Sequence, residues 1–566
     1  MNSANSQTIP RARHHGPRGL RRLTFVAAAL IIGSLPLVLL EGTLRVLDIG
    51  RSSAYADPFV GFSTIHSLFE LQPSEDSYET TQAQRYFFGH QSFSARKPAK
   101  NFRIFCLGGS TVLGHPFQPD TAFPHWLTKE LSGAMDHLDI DAINCGGMSY
   151  ASYRLVPILE EVLGYKPDLI VVMTGHNEFL EDRSYGNLKN RSATRARIEN
   201  ALYSLHTVTL ARRLIGKLRG NRPPGTTSEK TVLGPAVNAR LDHATGFTSY
   251  KSDPMWHLAV NKHFAYNLRQ MVKICQQARV PLIFVKPGCN LRDCPPFKSE
   301  HRDKLDMSSE HRWDRLFGDA KTVERKNPEK ALELYRQAAA IDDEHALLSY
   351  RIARCLDRLG QIGKARVHYE RARDQDVCPL RMTSQLQKTL MTVAEETSTP
   401  LFDADTLLQS IATSSVPGNE DYVDHVHPGI RGHQRLGRAL AEKLFELGLV
   451  KKKNTWSTAD RRQAYRRELS DLGPVYFAQG RARVEYLDHW ARRDPLLPDL
   501  QPYDIRGALA LVQAQLEFGE FNEASSRIRE VLKADPDRAG EIRKIAESFE
   551  QSGRNGAAKV VLESVK

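Results

Sequence analysis

The chain of 566 residues is 41% hydrophobic and 25% charged, too long for a single core and too apolar for a disordered chain, so two to four globular domains are expected. Its 78 Lys and Arg against 66 Asp and Glu leave a net charge of +12. No basic stripe interleaved with aromatics and no nucleic-acid module accompanies that charge, so a nucleic-acid partner is set aside.

Part of the excess sits at Arg11, Arg13, Arg18, Arg21 and Arg22, with no acid among the first 22 residues. Leu23–Leu40 follows as an apolar run broken only by Thr24, Gly33, Ser34 and Pro36, and Glu41 comes next. Eighteen helical residues reach roughly 27 Å, just enough for a bilayer core. Basic residues before the run and an acid after it predict a cytoplasmic N-terminus, one membrane helix and an exported remainder. A cleavable signal peptide is the competing reading. The uncleaved anchor is preferred because no small-x-small cleavage site follows closely and the run is long for a signal core.

Residues 45–100 read as an irregular linker that folds back onto the domain. Strands and helices then alternate. Phe102–Leu107, Asp141–Cys145, Asp168–Thr174, Val280–Lys286 and Pro400–Phe402 read as short apolar strands. Helical spacing covers Phe123–Leu138, Tyr153–Leu163, His263–Ala278 and Arg431–Leu447. Continuously apolar strands such as DLIVVMT are buried on both faces, which predicts an α/β domain around a parallel sheet. Residues 180–250 are polar and yield few elements.

PEKALELYRQAA and IGKARVHYERAR superpose at a shift of 34 residues, matching Ala331 with Ala365, Tyr335 with Tyr369 and Ala338 with Ala372. The same shift near the C-terminus matches Gly519 with Gly553, Ala524 with Ala558 and Ile528 with Leu562. A 34-residue period with small residues at helix contacts resembles tetratricopeptide (TPR) repeats. Such units cannot bury an apolar face singly. They must lean on the α/β domain, on each other or on a protein partner.

Of the seven cysteines, Cys289 and Cys294 flank a proline-bounded polar loop. A disulfide between them and two unrelated thiols are both open readings. No CxxC or HExxH motif occurs, and neither a metal nor a cofactor is expected.

Four motifs carry the chemistry. LGGSTVLG places Ser110 beyond the first strand, after glycines that let the backbone turn sharply, with Gly109 a candidate for substrate contact. NCGGMSYASYR follows the second strand, and Gly146, Gly147 and Ser149 compete to present a backbone N–H, Gly147 also as a substrate contact. TGHNEF follows the third and sets Asn177 to donate a side-chain N–H, with His176 packed beside the cleft as a further candidate for substrate contact. VDHVHPG holds Asp424 and His427 three apart, so the carboxylate can orient the imidazole as a base. Asp424, His425 and His427 as metal ligands are the lesser reading, since no further ligand cluster is evident. Together these make an acyl-transfer set: Ser110 as nucleophile, His427 as base, Asp424 as orienter, and an oxyanion hole of Asn177 with the Ser110 and Ser149 amides.

In this order the motifs resemble the SGNH hydrolases, the GDSL-like lipases and esterases. Ser110 in GGSTV matches that family's nucleophile, Asn177 in GHNE its oxyanion asparagine, and Asp424 and His427 in DHVH its Asp–His pair. The serine block reads GGST rather than GDS, and serine stands at 149 where the family has its glycine donor. The resemblance implies a flavodoxin-like three-layer αβα domain, here with inserted and C-terminal TPR-like helices. The expected division is a basic cytoplasmic N-terminus at 1–22, an anchor at 23–40, a fold-back segment at 45–100, the hydrolase domain at 101–300 and 383–450, a repeat insertion at 308–382 and a helical region at 451–566. The expected activity is hydrolysis of an acyl ester on a glycan or lipid outside the cytoplasm. The alternatives are an O-acyltransferase using the same site and a TPR scaffold with an inactive hydrolase domain.

Overall fold

The computed structural model describes residues 57–183, 231–491 and 521–565 apart from isolated positions, with scattered residues at 33–44, 207 and 509–516. Its strands in chain order are β1 (Val60–Phe62), β2 (Phe69–Gln72), β3 (Ser77–Thr80), β4 (Ser92–Ser94), β5 (Asn101–Gly108), β6 (Asp139–Gly146), β7 (Leu169–Met173), β8 (Thr231–Leu233), β9 (Leu282–Lys286) and β10 (Leu401–Asp403).

Five of them form a parallel sheet ordered β10-β9-β7-β5-β6. Numbered along the chain, that order is 2-1-3-4-5, the flavodoxin-like doubly wound topology. Every residue of β7 and β9 is buried, as strands covered on both faces require. Ile104, Cys106, Val171, Ile283 and Val285 share one core with the helices Phe123–Ala134, Ala404–Ile411 and Ile430–Glu446. The helices Ser152–Leu163, Pro254–Ala278 and Ser384–Glu396 pack together in the other layer. The fold is therefore the expected three-layer αβα sandwich.

Two local expectations are corrected. The segment 45–100 is not irregular throughout: β2, β3 and β4 form an antiparallel sheet. Strands of three and four residues leave no periodicity to read. Aromatic rings hold the sheet instead, with Phe69 edge-on to Phe93 at 5.0 Å and Phe93 edge-on to Phe105 of β5 at 5.5 Å. The helix expected from His263 begins at Pro254, where Asp253 caps it by accepting the Trp256 N–H at 3.0 Å.

Between β9 and β10 lie the helices Met307–Val323, Pro328–Ala339, Ala346–Arg358 and Ile362–Asp374. The repeated positions Ala331, Ala365, Tyr335, Tyr369, Ala338 and Ala372 are all buried. The core they form also contains Cys289, Leu291, Val416 and Val426 of the α/β domain, so the insertion leans on that domain. The C-terminal helices Phe521–Ala534, Ala539–Gln551 and Asn555–Ser564 close on a second core containing Ala524, Ile528 and Ala558. Leu562 departs from its repeat partner and is 39% exposed.

Cys289 and Cys294 are both free and buried. Cys289 packs into the repeat core, whereas Cys294 packs with Tyr250, Phe297 and Cys378. The two thiols thus serve different cores, and no disulfide joins them. Burial pushes the Cys294 thiol up to about 12. Most of Leu23–Leu40 lies outside the described residues, and among those described no helix is long and apolar enough to cross a membrane.

Candidate active site

β5 delivers its last residues to a tight turn. A side chain at Gly108 would collide with the Met173 carbonyl and with Val112, and one at Gly109 with the Asn177 amide nitrogen at 2.6 Å. Glycines are therefore required for the short helix Ser110–Leu113 to start against β7 and the loop beyond it. Ser110 is its first residue. Its amide has no partner within the helix, as at any helix start.

The Asp–His segment folds around its own carboxylate. Asp424 Oδ1 accepts the backbone N–H groups of Val426 at 2.9 Å and His427 at 2.7 Å, closing a local turn. Asp424 Oδ2 is left for the imidazole and accepts from His427 Nδ1 at 2.6 Å. His427 Nε2 then faces Ser110 Oγ at 2.7 Å. All three side chains are buried. Burial works against the Asp424 charge, but the two histidines beside it, through charge and hydrogen bonds, hold the carboxyl well below its usual range. The arrangement can draw a proton from the serine hydroxyl and hold the resulting imidazolium.

Two further histidines sit nearby. His425 is buried, with Nδ1 3.4 Å from the same Asp424 oxygen, and burial lowers its pKa against the pull of that carboxylate. His176 accepts the Met382 N–H at its Nδ1, 3.1 Å away, and burial drives its pKa down to about 3. It is a neutral packing group in this structure rather than a second base.

Asn177 follows β7 after Gly175, whose φ of +132 favours glycine. Its amide nitrogen donates to the Tyr150 carbonyl at 3.0 Å, which occupies one of its two N–H groups. The next residue, Glu178, is fully buried and accepts from the Ser152 N–H at 2.8 Å and the Ser152 hydroxyl at 3.0 Å. That bond ties the asparagine loop to the start of the Ser152–Leu163 helix.

The glycine block separates its three competitors. Gly146 N–H donates to the Asn144 side chain at 2.9 Å, and Gly147 N–H to the Gly108 carbonyl at 2.9 Å. Ser149 N–H makes no such bond among the described residues. Ser149 adopts φ +61, a left-handed conformation that glycine takes without strain. Gly109 and Gly147 act through close backbone packing: Gly147 lies against Phe88 and Tyr150.

Sequence reasoning missed Asn144 and His115. Asn144, at the end of β6, donates to the Val112 carbonyl at 2.7 Å. Its position in NCGG, a polar residue at the end of a buried strand, was the available signal. His115 sets its ring against His427 at a centroid distance of 5.0 Å; no motif pointed to it.

Residues 323–377 match the tetratricopeptide repeat family model. None of the curated proteins matches the chain in sequence. Among solved structures, the chain is similar to a putative lipolytic protein of the G-D-S-L family from Desulfitobacterium hafniense DCB-2 at 9% identity, covering 60% of this chain and 99% of that one with a TM-score of 0.26. It is also similar to a lipase/acylhydrolase from Enterococcus faecalis at 11% identity, covering 62% and 100%, TM-score 0.29. A catalytic mutant of an acetylxylan esterase from Geobacillus stearothermophilus is 12% identical, with coverage of 64% and 100% and a TM-score of 0.26. These likenesses are distant, and the fold assignment stands on the strand order of the chain itself.

Proposed function

We propose that the chain is a serine-dependent ester hydrolase of the SGNH type. The observation that carries this reading is the continuous relay of Asp424 to His427 at 2.6 Å and His427 to Ser110 at 2.7 Å. A serine hydroxyl becomes a competent nucleophile only when a positioned base takes its proton. In the proposed reaction Ser110 Oγ attacks the ester carbonyl as its proton passes to His427 Nε2. Asp424 holds the opposite ring nitrogen and stabilises the imidazolium. Negative charge develops on the carbonyl oxygen, and the Asn177 side chain with the Ser110 and Ser149 amides would receive it. Each such donor is worth roughly 3 kcal/mol in the transition state. Collapse releases the alcohol, protonated by His427, and leaves an acyl-serine. Water, deprotonated by the same imidazole, then frees the acid.

The proposed substrate is an acetyl or other acyl ester of a glycan or lipid. We place the enzyme outside the cytoplasm, held by the Leu23–Leu40 segment with its basic flank inside, on the strength of the one-sided charge around that run. A protein partner on the repeats is part of the same proposal; the match at 323–377 supports it.

A fluorophosphonate probe and p-nitrophenyl acetate test the core of this reading on the full chain. Wild type should label and hydrolyse, and Ser110→Ala should lose both, with at least a roughly 10⁴-fold drop in kcat. Equal labelling of Ser110→Ala, or equal turnover by it, would overturn the assignment.

A further inference from the structure

A cavity of about 880 Å³ lies beside the candidate site, lined partly by the loop around His115 and partly by the C-terminal helices. This volume falls in the range of small-molecule pockets, roughly 300–1,000 Å³. Its described lining residues all belong to one compact unit of the chain. Its inner wall includes His115, whose ring stands 5.0 Å from that of His427. Its outer wall is the segment from Gly553 to Ala557, at the start of the Asn555–Ser564 helix.

The lining is electrostatically one-sided. Among the described residues it contains three arginines, Arg85, Arg483 and Arg554, and no carboxylate. Arg483 is almost fully buried and donates to the Pro116 carbonyl at 2.7 Å, which anchors its charge under the serine loop. Arg85 pairs with Glu79 at 3.4 Å, but Glu79 is not part of the lining. Arg554 is exposed at the rim. Three like charges in a concave, partly apolar wall focus a positive potential on the space between them. A guanidinium carries five N–H donors in a planar fork suited to a carboxylate, sulfate or phosphate; Arg483 gives one of them to Pro116, and Arg85 bonds the Thr80 carbonyl as well as Glu79.

The remaining lining tells which kind of anion. Aromatic rings at Tyr86, Phe117 and Phe521 share the lining with the side-chain amides of Gln82, Gln118 and Asn555. An acyl chain has no use for three amides. A hydroxylated ring uses both, stacking on the aromatics and hydrogen bonding around its edge. We propose that this cavity binds an anionic saccharide, the acidic sugar portion of the ester substrate, and that the C-terminal repeat helices form its outer wall. The proposal rests on the hydrolase reading for its link to catalysis, although the binding itself does not.

The test is isothermal titration of the full-length chain with tetragalacturonate and with a neutral galactose tetramer. Wild type should bind the acidic tetramer at least tenfold more tightly, with affinity falling as salt rises. Arg554→Gln and Arg85→Gln, both at exposed positions where the fold tolerates change, should each weaken binding of the acidic tetramer by about tenfold. Equal affinity for the two tetramers, or variants that bind within twofold of wild type, would overturn the proposal. So would binding of phosphatidylglycerol vesicles with no binding of the tetragalacturonate, which would assign the cavity to lipid. Fluorophosphonate labelling separates the two readings. A chain that binds the acidic tetramer but does not label retains the cavity assignment and loses the hydrolase. A chain that labels but does not distinguish the tetramers does the reverse.

Discussion

Asn144 donates its side-chain amide to the Val112 carbonyl at 2.7 Å and accepts the Gly146 N–H at 2.9 Å. One side chain thereby joins the end of β6 to the turn that carries Ser110. Both bonds are buried, so replacing the amide strands a carbonyl and an N–H at once. Asn144→Ala should cost about 2–3 kcal/mol of stability. It should also lower kcat more than it raises KM, because the serine turn loses its strut. Urea denaturation with steady-state kinetics on p-nitrophenyl acetate measures both. Unchanged stability would show that the turn is held by backbone packing alone.

Asp424 uses its two oxygens for different tasks, one closing the local turn and the other holding the imidazole. Asp424→Asn keeps an oxygen for the turn but presents an N–H to His427 Nδ1, which forces the other tautomer. The variant should fold with nearly native stability and lose roughly 10⁴-fold in kcat. A variant within tenfold of wild type would remove Asp424 from the relay.

The oxyanion donors divide into a side chain and two amides. Asn177→Ala should lower kcat by about 10²–10³-fold with little change in KM. Ser149→Ala keeps the amide and should stay within about threefold of wild-type kcat. Ser149→Gly should also remain active and gain about 1 kcal/mol of stability, because the φ of +61 is strained for serine and not for glycine. A large kcat loss in Ser149→Ala would show that the hydroxyl, not the amide, contributes.

His176 and His433 are both buried, and burial lowers the pKa of each from 6.5 to about 3. The unfolded chain takes up protons at these positions as pH falls below 6.5, while the folded chain resists until about 3. Their contribution is therefore complete above pH 6.5 and declines as the pH drops towards 3. Stability measured in urea should fall steadily across that window. His176→Asn, which retains an acceptor for the Met382 N–H, should flatten the slope. An identical slope in the variant would mean that His176 does not resist protonation in the folded state.

Val426 lies in the chain between Asp424 and His427 of the relay and is buried in the core formed by the repeat insertion. Val426→Ala should cost about 2 kcal/mol and reduce kcat, since the Asp424–His427 turn would lose its apolar backing. Thermal melts and kinetics on one preparation reveal whether the two losses occur together.

Much of this architecture is legible along the chain. Apolar strands, glycines at strand ends and a 34-residue repeat are local properties, because side-chain burial and backbone permissiveness leave their mark residue by residue. The order of Ser110, Asn177, Asp424 and His427 was legible for the same reason. The sheet of β2, β3 and β4 was not, because its strands are too short for a period and it depends on rings from Phe93, Phe105 and Tyr165 meeting in space. Three decisions belonged to the tertiary structure alone. It determined which amide of the glycine block is left without a partner among the described residues, that Cys289 and Cys294 enter different cores, and that three arginines far apart in the chain line one cavity. Each depends on which distant segments meet in space, because hydrogen bonds and packing act only over about 3–5 Å and charge over roughly a Debye length.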